Sequence, residues 1–245
     1  MDLTNANYYS REANAYYMSV SQYKAFDKCE AAAMAELRGE YVRPKTTALL
    51  VGSYVDAWFE GTLAQFQAEN PEIFKRDGSL KADFVQAERI IERVQQDTLY
   101  MEYMSGEKQR IFTAELFGAP WKIKIDSLLP DKIVDGKVIR SLEPVMGQNF
   151  VEYWGYDIQG GIYQAVEGGG KPFYLAPVTK EEPADLAVIH LPEYMLHDAR
   201  EVVRKRLPRI LAVKAGEVEA ERCERCAYCR ATKKLTRPIE MEEIF

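Results

Sequence analysis

At 245 residues, with 47% hydrophobic and 29% charged residues, the chain has the composition of a globular protein large enough to bury a sizeable core. Its net charge of −6 excludes a surface coated throughout in positive charge. No basic stretch followed by an apolar segment opens the sequence, and no apolar run reaches membrane-spanning length, so the expectation is a cytoplasmic protein without membrane association.

Residues 1–20 are rich in tyrosine and lack periodicity, which predicts an irregular arm. Its rings either pack on the body of the protein or stack on unpaired bases. Ser21 is the expected N-cap of a helix running to about Arg38. Arg43-Pro44-Lys45 ends that pattern, and a second helix is predicted over Thr47–Gly61. Asn70-Pro71 and Asp77-Gly78 mark a loop, after which Leu80–Met104 reads as one long, mostly surface helix. Three strands in a meander follow, Ile111–Phe117, Trp121–Leu128 and Lys132–Val138, with Gly118-Ala119-Pro120 turning between the first two. Gln148–Val166 is amphipathic and helical, and Glu167–Lys171 is a glycine-rich loop. Strands are predicted at Pro172–Val178 and Asp185–Leu191, and a basic helix over Glu193–Lys214 leads into a cysteine-bearing segment. The sequence reads as one domain, with a helical part (1–79), a core (80–192) and the basic helix with the cysteine segment (193–245).

Charge is unevenly spread. Asp198–Arg237 holds twelve Lys/Arg against six Asp/Glu. Such a positive segment can guide a polyanion, and it equally makes a solvated helix face.

The middle of the chain carries chemistry. In Trp121–Asp126 the apolar residues 121, 123 and 125 share one face of a strand, leaving Lys122, Lys124 and Asp126 on the other. Beyond the turn at Leu129-Pro130-Asp131, Asp135 and Lys137 share a face because they are two apart. A hairpin of this shape brings Asp126 beside Asp135. Two carboxylates can hold a divalent cation and an ammonium can sit beside the attacking water, the minimum set for a metal-dependent nuclease. By itself the D-x-K spacing also arises as a solvated charge pair worth about 0–1 kcal/mol.

The four cysteines are Cys29 and the run Cys223-x2-Cys226-x2-Cys229. Three thiols so spaced can converge on one inorganic centre, with Cys29 the remaining thiol to complete it. The spacing suits an iron–sulfur centre, a four-thiolate zinc site or free structural thiols.

This order of elements, with these residues at these places, resembles the PD-(D/E)XK nuclease superfamily, whose core is αβββαβ. Within it the chain looks most like the phage-type, RecE-like (exodeoxyribonuclease VIII-like) branch, over roughly residues 20–240. Asp126…Asp135-Gly136-Lys137 stands on adjacent strands. Gly52-Ser-Tyr-Val-Asp56 matches the place where RecB-like nucleases show G-x-x-x-H, whose last residue is a metal ligand. Gln159-Gly-Gly-Ile-Tyr163 matches their Q-x-x-x-Y motif. One early and three late cysteines are similar to the iron–sulfur staple of several RecB-family nucleases, though more tightly spaced than in many. Ile125 replaces the motif's proline, Asp56 replaces histidine, and Gly136 stands where an apolar residue is usual.

The resemblance implies a restriction-endonuclease-like α/β fold, a central mixed sheet flanked by helices. It implies a DNA exonuclease in which Asp126, Asp135 and Lys137 are catalytic. Magnesium or manganese would be held by Asp56, Asp126, Asp135 and the Gly136 carbonyl, while Gln159 and Tyr163 position DNA. It further implies a [4Fe–4S] cluster on Cys29, Cys223, Cys226 and Cys229, with zinc as the alternative, and end resection beside a phage single-strand annealing protein. Glu115 and Glu143 are expected to be surface charges, and His190 and His197 structural. Two other readings use the same residues: a DNA- or protein-binding module that keeps the fold without chemistry, and a structural zinc protein with an accidental D-x-K.

Overall fold

The computed structural model describes residues 2–235, 237, 238, 240 and 241. Serine caps organise the N-terminal arm. The Ser10 side chain accepts from the Ala13 amide to start α1 (Arg11–Tyr16), and Ser19 accepts from the Gln22 amide to start α2 (Val20–Lys28). The expected cap, Ser21, lies inside α2, because the extended backbone that a cap needs falls at Ser19. The predicted continuation to Arg38 is interrupted at Cys29, also extended, and α3 (Glu30–Arg38) begins afresh there. Between α1 and α2 the chain is not irregular. The Met18 amide donates to Pro120 O at 2.7 Å and its carbonyl accepts from the Lys122 amide at 2.9 Å.

Thr46 caps α4 (Thr47–Phe59), close to its predicted span, and α5 (Leu63–Glu69) follows. The predicted helix over Leu80–Met104 is two helices, α6 (Ala82–Gln95) and α7 (Thr98–Tyr103), because Asp97 accepts from the Tyr100 amide at 2.9 Å and caps a new start. The segment lies at the surface as expected but buries one face, Phe84, Ala87, Ile90, Ile91, Val94 and Tyr100.

Strands β1 (Arg110–Leu116) and β2 (Ala119–Ile125) pair antiparallel. Their turn is Phe117-Gly118, one residue earlier than predicted, with φ of 54° and 80°. Two left-handed residues match the twist of a tight hairpin. The predicted strand over Trp121–Leu128 breaks at Asp126, where the chain leaves β1 and resumes as β3 (Ser127–Leu128) against β4 (Ile133–Ile139). Next, β4 pairs parallel with β5 (Phe173–Thr179), and β5 pairs antiparallel with β6 (Ile189–Leu191). β6 is shorter than predicted, although Leu186 also bridges to Val178.

A parallel pair needs a crossover, supplied here by α8 (Phe150–Tyr153) and α9 (Tyr156–Glu167). One helix is predicted there; Gly155, at φ +64°, breaks it in two. The long α10 (Glu193–Ala215) and short α11 (Ala227–Ala231) complete the chain.

Because β4 and β5 are covered on both faces, successive residues enter different cores. Ile133, Phe173 and Leu175 pack with Phe26, Ile162 and Leu196 from α2, α9 and α10. Val134, Ala176 and Val178 pack with Val51, Ile90 and Tyr100 from α4, α6 and α7. A Cβ on Gly160 would stand 2.7 Å from Phe173 Cδ1, and one on Gly161 would stand 2.7 Å from the Leu196 carbonyl oxygen. The paired glycines therefore let α9 seat closely on both β5 and α10. No helix among the described residues is long and apolar enough to cross a membrane.

Candidate active site

α9 lies over the side of β4 that carries residues 133, 135 and 137, and here the predicted residues meet. Asp135 is 1% exposed. The Gln159 amide donates to its Oδ1 at 2.6 Å, and Lys137 Nζ pairs with its Oδ2. Lys137 Nζ also donates to the Gly136 carbonyl at 3.0 Å. The kink at Asp126 turns that side chain across to β4, where its Oδ2 accepts from the Gly136 amide at 3.2 Å. Gly136 thus presents its amide to one carboxylate and its carbonyl to the lysine. A Cβ there would stand 3.0 Å from the flexible end of Met104, at Cε.

These side chains lie in an open cleft of about 1100 Å³, which Asp56 enters from α4 and Glu60 from its C-cap, Gln159 and Tyr163 from α9, and Lys122 and Lys124 from β2. Asp56 and Glu60 share a helix face, being four apart. Tyr163 stands on the same wall as Gln159, its ring edge-on to Phe173 at 6.3 Å between centroids.

Electrostatics follow from crowding. Burial drives the Asp135 pKa up, Lys137 opposes that shift and Asp126 adds to it. Asp56 opens onto the cleft, yet protein atoms hem it in, so loss of water and then the Asp126 charge push its pKa well up, with Lys137 opposing. Burial alone would lower the Lys137 pKa, but Asp135 and Asp126 outweigh it and the net direction is up. Lys137 is therefore an ammonium. Asp56, Asp126, Asp135 and the Gly136 carbonyl all offer oxygen donors, the kind that suits magnesium or manganese, although among the described residues only the four cysteines bring three or more ligand atoms together. Each of the two motif carboxylates is meanwhile held by protein groups, Asp135 by Lys137 and Gln159, and Asp126 by Gln109 and the Gly136 amide.

Four groups escaped sequence reasoning. Lys24 on α2 lines the cleft, and its Nζ donates to the Trp154 carbonyl at 3.0 Å. Burial, then the Lys137 charge, lowers its pKa to about 8. Gln109, in the left-handed region at φ 54°, points its amide at Asp126 Oδ1 (3.4 Å), while its buried Oε1 has no hydrogen-bond partner among the described residues. Glu60 could have been found from its i+4 spacing to Asp56. Lys122, expected on an open strand face, is buried under the arm, where Nζ donates to the Tyr8 carbonyl and to Asn14 Oδ1 at 2.7 Å. Tyr8 is buried, whereas Tyr9 is 70% exposed and stands 4.7 Å from Lys124 Nζ at the cleft. Glu115, Glu143, His190 and His197 are all exposed and outside the cleft lining.

The four cysteines converge outside the lining of this cleft. Cys29 at the α2–α3 break and the 223–229 segment place all four sulfurs within 4.8 Å of one another as free thiols, a donor set that fits a metal centre. Beside it Glu30, 2% exposed, accepts from Arg206, from Arg209 and from the Glu221 amide, which fastens α3 to α10 and to the approach of the cysteine run.

The mixed sheet and flanking helices define a restriction-endonuclease-like α/β protein. The chain belongs to the DUF3799 family, described as a PDDEXK-like domain of unknown function, whose pattern matches residues 19–232. It is similar to a protein from Eubacterium rectale whose crystal structure is described as that of a "Putative exonuclease". The two are 49% identical, with 100% of this chain and 98% of that chain covered and a TM-score of 0.96. The crystal structure of SSO0001 aligns with 76% of this chain and 84% of its own at 14% identity, and its TM-score of 0.27 carries no argument. No curated protein matches.

Proposed function

We propose that this protein is a metal-dependent deoxyribonuclease, an exonuclease that hydrolyses phosphodiester bonds at DNA ends. The observation that carries the reading is the meeting of Asp126, Asp135 and Lys137 on one cleft floor, in a chain of the PDDEXK-like class. Asp56, Asp126, Asp135 and the Gly136 carbonyl would hold magnesium or manganese. A cation held there would supply a water of lowered pKa and offset charge on the scissile phosphate.

The chain's own groups do the rest. Lys137, kept protonated by its carboxylate neighbours, places positive charge where the phosphate becomes more negative and orients the attacking water. Gln159 holds the Asp135 carboxylate in position through its 2.6 Å hydrogen bond, and Tyr163 on the same wall faces the strand. Lys24 and Lys124 in the cleft offer contacts for the backbone of the bound strand.

The resemblance of its motifs to the RecE-like branch supports a role in end resection during phage or prophage recombination, beside a single-strand annealing protein. Digestion of end-labelled linear DNA with and without magnesium, by wild type and Asp135→Ala, tests the reading. Magnesium-dependent release of label by wild type alone supports it. A wild type inert with both magnesium and manganese favours a binding module that has kept only the fold.

A further inference from the structure

The cysteine centre contains its own ruler. Cys29 Sγ lies 3.6 Å from Cys229 Sγ, Cys223 Sγ lies 4.0 Å from Cys229 Sγ, and no two of the four sulfurs are more than 4.8 Å apart. Four thiolates around one zinc ion, each about 2.3 Å from the metal, stand at tetrahedron corners separated by about 3.8 Å. In a [4Fe–4S] cluster each thiolate binds a different iron and points outward from the cube, so the four cysteine sulfurs are about 6 Å apart or more. A [2Fe–2S] centre separates the sulfurs on its two irons by a similar distance. The observed spacing is close to that around a single ion and shorter than either cluster sets.

The surroundings agree. The Cys226 amide donates to Cys223 Sγ at 3.3 Å and the Cys229 amide to Cys226 Sγ at 3.4 Å, so each turn of the run aims a backbone donor at a sulfur that carries thiolate charge when metal is bound. Ala31, Ala32 and Tyr228 pack against the cysteines. Cys29 and Cys229 are buried.

We propose that Cys29, Cys223, Cys226 and Cys229 hold one tetrahedral zinc ion and not the iron–sulfur cluster that the sequence resemblance implies. With four protein ligands no coordination position stays open, so the ion is structural. It ties the α2–α3 break to a segment some two hundred residues away, beside the Glu30 ion pairs. This assignment stands whether or not the cleft cleaves DNA.

The test is the metal content of full-length protein purified without oxygen, with acid-labile sulfide and the visible spectrum measured on the same sample. One zinc per chain, no sulfide and no band near about 400 nm are expected. Cobalt exchanged into the site should give the intense visible bands of a tetrahedral thiolate complex. About four irons with matching sulfide and that band overturn the proposal. One iron without sulfide overturns the choice of metal, and a metal-free wild type overturns the site. Cys226→Ser should lower zinc content several-fold; if that variant does not fold, the wild-type analysis still decides.

Discussion

Gln159 separates two accounts of the site. Sequence resemblance assigns it to DNA, whereas the structure gives its amide to Asp135 Oδ1 at 2.6 Å. Replacing it by leucine keeps side-chain bulk but removes the donor from a carboxylate that is 1% exposed, so water cannot easily take its place. A hydrogen bond to a charged group contributes about 1.5–3 kcal/mol. At about 1.4 kcal/mol per factor of ten, its loss should lower cleavage by roughly 10- to 150-fold. The loss should appear as weaker magnesium binding, and so a higher magnesium requirement, because an unheld Asp135 is a poorer ligand. The assay is initial cleavage rate against magnesium at saturating DNA, then against DNA at saturating magnesium. Gln159→Leu should shift the magnesium curve to higher concentration and leave the DNA dependence close to wild type. A variant with wild-type magnesium dependence and only a raised KM for DNA would show that Gln159 serves the strand, and the argument from its hydrogen bond would fail.

Other perturbations follow from contacts already described. Gly161→Ala forces a Cβ to 2.7 Å from the Leu196 carbonyl oxygen, and backbone cannot step aside cheaply; urea denaturation should show a loss of about 1–3 kcal/mol. Gly136→Ala meets only the flexible end of Met104 at 3.0 Å, so activity should stay within a few-fold of wild type, and Gly136→Ala with Met104→Leu should do no worse. Lys214 has its pKa lowered to about 8 by burial and then by Lys122, while its Nζ donates to the Asn14 and Tyr17 carbonyls and to Gln22 Oε1. Its folded pKa lies below the unfolded value of about 10.4, so between those pH values the unfolded chain holds more protons. Wild type should therefore gain stability relative to Lys214→Met as pH rises from 8 to 10, measured by urea midpoints; a constant difference would contradict the shift.

Much of the site was legible because it rests on short-range periodicity. Asp135 and Lys137 share a face by strand alternation, and Gln159 and Tyr163 share a wall by helical spacing. At Asp97 and Gly155 the local signal, a cap and a left-handed glycine, outweighs continuous apolar patterning, whereas the extended break at Cys29 has no side-chain cap to announce it. The second core was present as the stripe Phe84, Ala87, Ile91, Val94, but the many charges of that segment suggested a surface helix. What the sequence could not express was long-range. Nothing near Lys122 indicates that Tyr8 and Asn14 cover it, and nothing near Gln109 points to Asp126. Gly136 reads as a weakness of the D-x-K motif until Met104 is seen occupying the space beside it.

The central claim is that Lys137, held as an ammonium between Asp135 and Asp126, acts on the phosphate during cleavage. Single-turnover cleavage of end-labelled DNA by Lys137→Ala, with DNA affinity measured in parallel in calcium, tests it most directly. Cleavage should fall by a factor of about 100 or more, as on losing a group that stabilises a developing charge, while affinity changes only a few-fold. Wild-type cleavage rates from Lys137→Ala would contradict the account.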